Sequence, residues 1–191
     1  APTQLAISMS SDDENRGTVL ACIEGLKGCK RKVDDGILPG PHVSHLVVGD
    51  ASPPKRSVKF LCAMARGLPV VKYEWIINCA SEEKWLDPEP YLAIPVHPRA
   101  GHQLDGKLFN IVDGGAADPS FLEHLIESAG GRMASKRAAT HLVNGPPEMG
   151  QDRVTLEWII REVASGGEEA DGGEAGRSRG AGRKSGVARG G

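Results

Sequence analysis

The tetrapeptide "EWII" occurs at residues 74–77 and again, letter for letter, at 157–160. Four letters alone decide little. The stretches before them also correspond: "SHLVVG" (44–49) precedes the first copy and "THLVNG" (140–145) the second. Each is a short, β-branched, apolar run ending at Gly, which reads as a buried strand. Each EWII opens an apolar-periodic stretch, "YEWIINCASEEKW" (73–85) and "LEWIIREVA" (156–164), which reads as a helix with Trp75 and Trp158 packed into the core.

Working outward, the same order holds further upstream. "LAIS" (5–8) and "KLFNIV" (107–112) are strands. Asp12 or Asp13 starts the first helix, whose stripe is Val19, Leu20, Ile23 and Leu26. Asp118 with Pro119 at the first helical position starts the second, whose stripe is Phe121, Leu122, Leu125, Ile126 and Ala129. Gly28 ends one, Gly130 and Gly131 the other. Strands at "CKRKV" (29–33) and "RMA" (132–134) follow.

The copies differ in one place. His45 and Trp75 lie 30 residues apart, His141 and Trp158 only 17. The longer gap holds a helix opened by "PPKRS" (53–57), with Val58, Leu61, Cys62 and Ala65 on one face and Gly67 at its end, then the strand "PVV" (69–71). In place of that helix the second copy has the loop "GPPEMGQD" (145–152), after which "RVT" (153–155) leads into the last helix. Alternating strands and helices predict two small parallel sheets with helices on both faces. The predicted organisation is repeat 1 over 1–93, a proline-broken connector "IPVHPRAGHQLD" (94–105), repeat 2 over 106–165 and a tail over 166–191.

A chain of 191 residues with 39% hydrophobic content can build such cores. With 23 basic and 25 acidic residues it has no whole-chain electrostatic grip on nucleic acid. The tail is the exception. "GRSRGAGRKSGVARGG" (176–191) carries five basic residues and no acid, so a disordered tail with weak nucleic-acid contact is one reading. Absence of Met at position 1 suggests an excerpt of a longer protein; no signal peptide or membrane-length apolar run is read. Cys22, Cys29, Cys62 and Cys79 form no C-x-x-C pair and read as free thiols. No His set has zinc spacing, and no P-loop or G-x-G-x-x-G after a strand is present, so no metal, no cofactor and no enzyme activity are expected.

The landmarks — Gly after the first helix, a [ST]-H-[LV]-V strand, Trp in the last helix — resemble those of BRCT domains. Residues 3–165 are similar to a tandem BRCT pair. "RSVKFLCAMARG" (56–67), "EEKWLDPEPYL" (82–92), "LIESAGGRM" (125–133) and the abbreviated second repeat are most similar to the C-terminal pairs of the microcephalin subgroup. The resemblance implies two four-stranded parallel sheets with flanking helices, packed head to tail through helix 2 of the first repeat and helices 1 and 3 of the second. It implies a monomeric, nuclear, non-enzymatic module of the DNA-damage response or cell cycle. Its partner would be a phosphorylated protein or histone tail, not a membrane.

The family's phosphate site falls on Ser8, the N–H of Met9, and Lys59. A phosphoserine carries close to two negative charges and strong acceptor oxygens, which a hydroxyl, an N–H and a cation suit. Individually, Ser8 also reads as a turn residue and Lys59 as a solvated surface cation. Met9 stands where many members have Gly. Arg56, with Ser57 beside it, falls where the family contacts the third residue after the phosphoserine or its terminal carboxylate; a salt bridge to Glu157 is the alternative. A pocket selecting an aromatic at that position would be walled by Val58, Leu61, Ala116, Ala117 and Ile160, residues that equally read as interface packing. The second repeat has no counterpart of "KRSVK" (55–59) and is read as lacking a phosphate site.

Overall fold

A computed structural model describes residues 1–28, 33–50, 57–113, 117–146 and 150–165. The first repeat runs β1 (Leu5–Ser8), α1 (Glu14–Gly25), β2 (His45–Val48), α2 (Val58–Arg66), β3 (Val70–Lys72) and α3 (Glu74–Ser81). The second runs β4 (Leu108–Ile111), α4 (Pro119–Ser128), β5 (Arg132–Met133), β6 (His141–Val143), β7 (Asp152–Val154) and α5 (Leu156–Ser165). Among the described residues these strands pair with one another in parallel, in the orders β1-β2-β3 and β5-β4-β6-β7, and Val71 of β3 adds an antiparallel bridge to Leu92. The strand expected at 29–33 is marked, among the described residues, only by a parallel bridge between Ala6 and Asp34; residues 29–32, with Cys29, lie outside them.

Helix ends follow the expected chemistry, with two differences. Asp13 accepts from the Asn15 N–H, Asp118 from Ser120 and Phe121, and Gly67 closes α2 at φ 70°. However, α1 stops at Gly25, because Leu26 turns extended to enter the core. Gly28 takes its φ of 100° two residues past that cap, where the Trp85 Nε1–H donates to the Lys27 carbonyl at 2.8 Å. α3 ends at Ser81 rather than running to Trp85, since Glu83 adopts φ 52° and reverses the chain.

β6 and β7 are joined by residues 144–151, too few for the dozen or more that a helical crossover needs. The described part of this connection contains no helix. The helix that repeat 2 lacks is the one that repeat 1 lends. One side of α2 (Phe60, Ala63) packs on the first sheet with Leu46 and Val70. Its other side (Leu61, Cys62, Ala65) joins Leu122, Leu125, Ile126, Ile159 and Val163 of α4 and α5 in the inter-repeat core. The predicted packing of helix 2 against helices 1 and 3 of the second repeat is therefore found. Burial pushes the Cys62 thiol up to about 12, with Arg66 opposing, so Cys62 is a packing residue. Cys22, Cys62 and Cys79 are free.

The linker does more than connect. It is turned rather than extended, and Gly101 and Leu104 donate to the carbonyls of Ala65 (2.6 Å) and Ala129 (2.8 Å). Leu104 and Gln103 are fully buried, and the Gln103 Nε2 reaches the Met64 carbonyl at 3.5 Å.

The shared [ST]-H…W pattern now has a physical cause. Ser44 Oγ accepts from the Thr3 N–H (3.0 Å) and donates to the Gln4 carbonyl (3.0 Å). Thr140 Oγ1 likewise accepts from Leu108 N–H (3.0 Å) and donates to the Leu108 carbonyl (3.1 Å). Each hydroxyl thus clasps the start of the first strand of its repeat. Each hydroxyl also pairs with the Nδ1 of the histidine that follows it, Ser44 with His45 at 3.0 Å and Thr140 with His141 at 2.7 Å. The rings then lie against Trp75 (5.1 Å) and Trp158 (5.5 Å).

Burial, then the N-terminal ammonium, lowers the His45 pKa; burial also lowers that of His141, opposed by Asp152. Both folded values lie below 6.5, so the unfolded chain takes up these protons first as pH falls. Their contribution is complete above about pH 6.5 and is lost progressively as pH drops from there toward the folded values. Urea midpoints should fall between pH 7.5 and 5.5, and His45→Gln should flatten that fall while lowering the midpoint at pH 7.5.

Candidate functional site

β1 delivers Ser8 to the carboxyl-terminal edge of the first sheet, where crevices form outside parallel strands. The β2–α2 connection, whose residues 51–56 lie outside the described ones, returns the chain so that Ser57 caps α2 beside it. Ser8 Oγ and Ser57 Oγ are 2.6 Å apart, although 49 residues separate them in sequence. Ser57 Oγ also accepts from the Phe60 N–H at 3.2 Å. Lys59 lies in the first turn of α2 and donates to the carbonyls of Ile7 (3.2 Å) and Asp34 (3.3 Å). The ammonium is therefore fixed one residue before Ser8. Two hydroxyls, a lysine and a helix N-terminus converge, a combination that suits an anion.

Lys59 is half-buried. Burial lowers its pKa, Asp34 and Asp35 push it back up, and Arg16 lowers it further. Arg16, on the first turn of α1, is thus a second cation whose field reaches the site. Sequence reasoning passed over it, though its place one turn after the β1–α1 loop is a signal that could have found it. The Asp34 carboxylate is occupied in its own loop, accepting from Gly36 (2.9 Å) and Gly40 (2.7 Å).

Met9 follows Ser8, half-buried, with its side chain against the core of repeat 1. Arg56 and Ala116 lie outside the described residues. Ser57, read from the sequence as a polar neighbour of Arg56, lies against Ser8. Glu157 is exposed; hydrogen bonds from its own backbone N–H and from Thr155 hold its carboxyl below the ordinary value. Val58, Leu61, Ala117 and Ile160 all pack about the inter-repeat core. Trp75 is 1% exposed, whereas Trp158 is only partly buried.

Leu61 and Ile160 also wall an apolar cleft of ≈ 700 Å³ between α2, the linker and α5. Its remaining walls include Phe60, Met64, Ile94 and Val163. Val96, 43% exposed, stands among the lining residues. The linker wall was not foreseen, because its prolines read only as a connector. Among the described residues no group of three or more His, Cys, Asp or Glu could hold a metal ion, and no helix is long and apolar enough to cross a membrane.

No family model and no curated protein matches the chain. Solved structures do. The BRCT5–BRCT6 domains of S. pombe Brc1 align with a TM-score of 0.58 at 15% identity, covering 87% of this chain and 93% of that one. Residues 820–1070 of Rtt107p align with a TM-score of 0.53 at 10% identity, covering 84% and 85%. The fold is that of a tandem BRCT pair.

Proposed function

We propose that this chain, with its tandem BRCT fold, is a phosphoserine reader that binds phosphorylated partner proteins through the Ser8–Ser57–Lys59 site. The carrying observation is the 2.6 Å approach of Ser8 and Ser57 beside the Lys59 ammonium. With Phe60 N–H donating to Ser57, and Ser57 to Ser8, the Ser8 proton is left for a phosphate oxygen. Hydrogen bonds so chained strengthen one another. Lys59 needs only to exchange two carbonyl acceptors for phosphate oxygens, and the Met9 N–H supplies a further donor.

The module would act in the nucleus, in the DNA-damage response. Resemblance to the microcephalin subgroup points to a histone tail ending in phosphoserine, two residues and an aromatic with a free carboxylate. Arg56 would take that carboxylate. Val58, Leu61, Ala116, Ala117 and Ile160 would line the aromatic's pocket, with Glu157 near it. A phosphate-independent scaffold is the second reading, favoured by the apolar cleft between α2, the linker and α5. In neither reading does the chain carry out catalysis. Repeat boundaries at 93, 105 and 165 complete the proposal.

Fluorescence anisotropy with a labelled peptide ending phosphoserine-Gln-Glu-Tyr and a free carboxylate tests the reading against its unphosphorylated twin. Binding only to the phosphorylated form supports it; equal binding of both makes the scaffold the function. In the same assay Ser57→Ala should lower affinity by up to about tenfold, because it removes the partner that orients the Ser8 hydroxyl toward phosphate. Ser57→Thr should retain most of it. Because Ser57 also caps α2, Ser57→Ala should cost about 1 kcal/mol of stability in a urea titration.

A further inference from the structure

We propose that Ser11 is a phosphorylation site, used by a kinase with a basic substrate groove, and that its modification closes the neighbouring phosphate site. The inference rests on the phosphoserine-reader reading above. Ser11 is followed directly by Asp12, Asp13 and Glu14. Three consecutive carboxylates after a hydroxyl are the charge complement of such a groove. The residue is exposed, in the turn between β1 and α1, and its Oγ is engaged with the neighbouring Asp12 carboxylate at 3.1 Å. Asp12 and Glu14 are exposed as well and face solvent with the acceptor, while Asp13 is half-buried at the cap of α1.

The transfer is ordinary phosphoryl chemistry. The γ-phosphoryl of ATP moves to Ser11 Oγ, the bond to ADP breaks, and the hydroxyl proton leaves through the kinase's base.

The consequence follows from position. Ser11 is three residues past Ser8, so their Cα atoms lie within about 11 Å of one another at full chain extension. That upper limit lies somewhat beyond one Debye length, about 8 Å at physiological salt, so screening damps the interaction between the two positions without removing it. A phosphoryl group adds close to two negative charges. Carboxylates already crowd this edge: Asp13 approaches Gly49, as the Met9 side chain does, and Asp50 accepts from Tyr73 at 3.2 Å. A second dianion at that range repels the incoming phosphoserine. The weakening should be on the order of three- to tenfold at 0.15 M salt and should shrink as salt is raised.

The test uses the full 191-residue chain, ATP and casein kinase 2 as the acid-directed enzyme, with the modified residue mapped by mass spectrometry. Phosphate should appear on Ser11, be missing from that position in Ser11→Ala, and be incorporated several-fold more slowly in Glu14→Gln. The modified protein should then bind the phosphorylated Gln-Glu-Tyr peptide more weakly than the unmodified protein, with the gap narrowing between 0.15 and 0.5 M salt. No incorporation at Ser11, or full incorporation with unchanged affinity, overturns the inference. If the unmodified protein does not bind the phosphopeptide, the reader itself fails and its regulation falls with it.

Discussion

Lys59→Met should reduce affinity for the phosphorylated peptide by at least about a hundredfold while leaving the fold standing. A hydrogen bond to a charged group contributes about 1.5–3 kcal/mol, and Lys59 has the geometry to make more than one to phosphate. Its ammonium is held at the end of β1 by the Ile7 and Asp34 carbonyls, so little reorganisation precedes binding. Met preserves most of the half-buried stem, which separates loss of charge from loss of packing. Urea midpoints of the two proteins should be close.

A pH profile supplies an independent readout. Binding should rise through about pH 6 as the phosphate takes its second charge. It should then fall in alkali sooner than for an ordinary lysine, because burial lowers the Lys59 pKa. Lys59→Arg should extend binding to higher pH, since guanidinium stays charged.

Trp75→Ala and Trp158→Ala, equivalent positions of the repeat, should differ widely. Trp75 is 1% exposed, stacks on His45, meets Trp85 at a tilt, and donates from Nε1 to the Leu86 carbonyl at 3.2 Å. Truncation leaves a cavity and an unpaired carbonyl, and should cost about 3–5 kcal/mol in a urea titration. Trp158 is only partly buried, so its truncation should cost clearly less. Equal losses would mean that the two [ST]-H…W clasps bear equal weight, which their burial contradicts.

That asymmetry marks the boundary of what was legible. Order and type of the elements could be read from "SHLVVG" and "THLVNG", because a short apolar run closed by Gly specifies a buried strand locally. The missing helix was readable as a shortened gap, and the packing of α2 against α4 and α5 followed from the family likeness. What could not be read were long-range approaches. Ser57 was placed beside Arg56, since sequence gives only its neighbours; the fold sets it against Ser8. Trp158 was expected to be as buried as Trp75, yet motif identity does not fix the depth of the surrounding layer. The linker's prolines concealed Leu104 and Gln103, which plug the space between the repeats. Arg16 had a local signal in its place at the start of α1, but its relevance to a lysine on another helix emerges only from the fold.

The most direct measurement is amide chemical-shift mapping of the full chain titrated with the phosphorylated peptide and with its unphosphorylated twin. The account predicts that only the phosphorylated peptide shifts Ser8, Met9 and the first turn of α2 from Ser57 to Phe60. Shifts induced equally by both peptides, or confined to Met64, Val96 and Val163 of the apolar cleft, would contradict it.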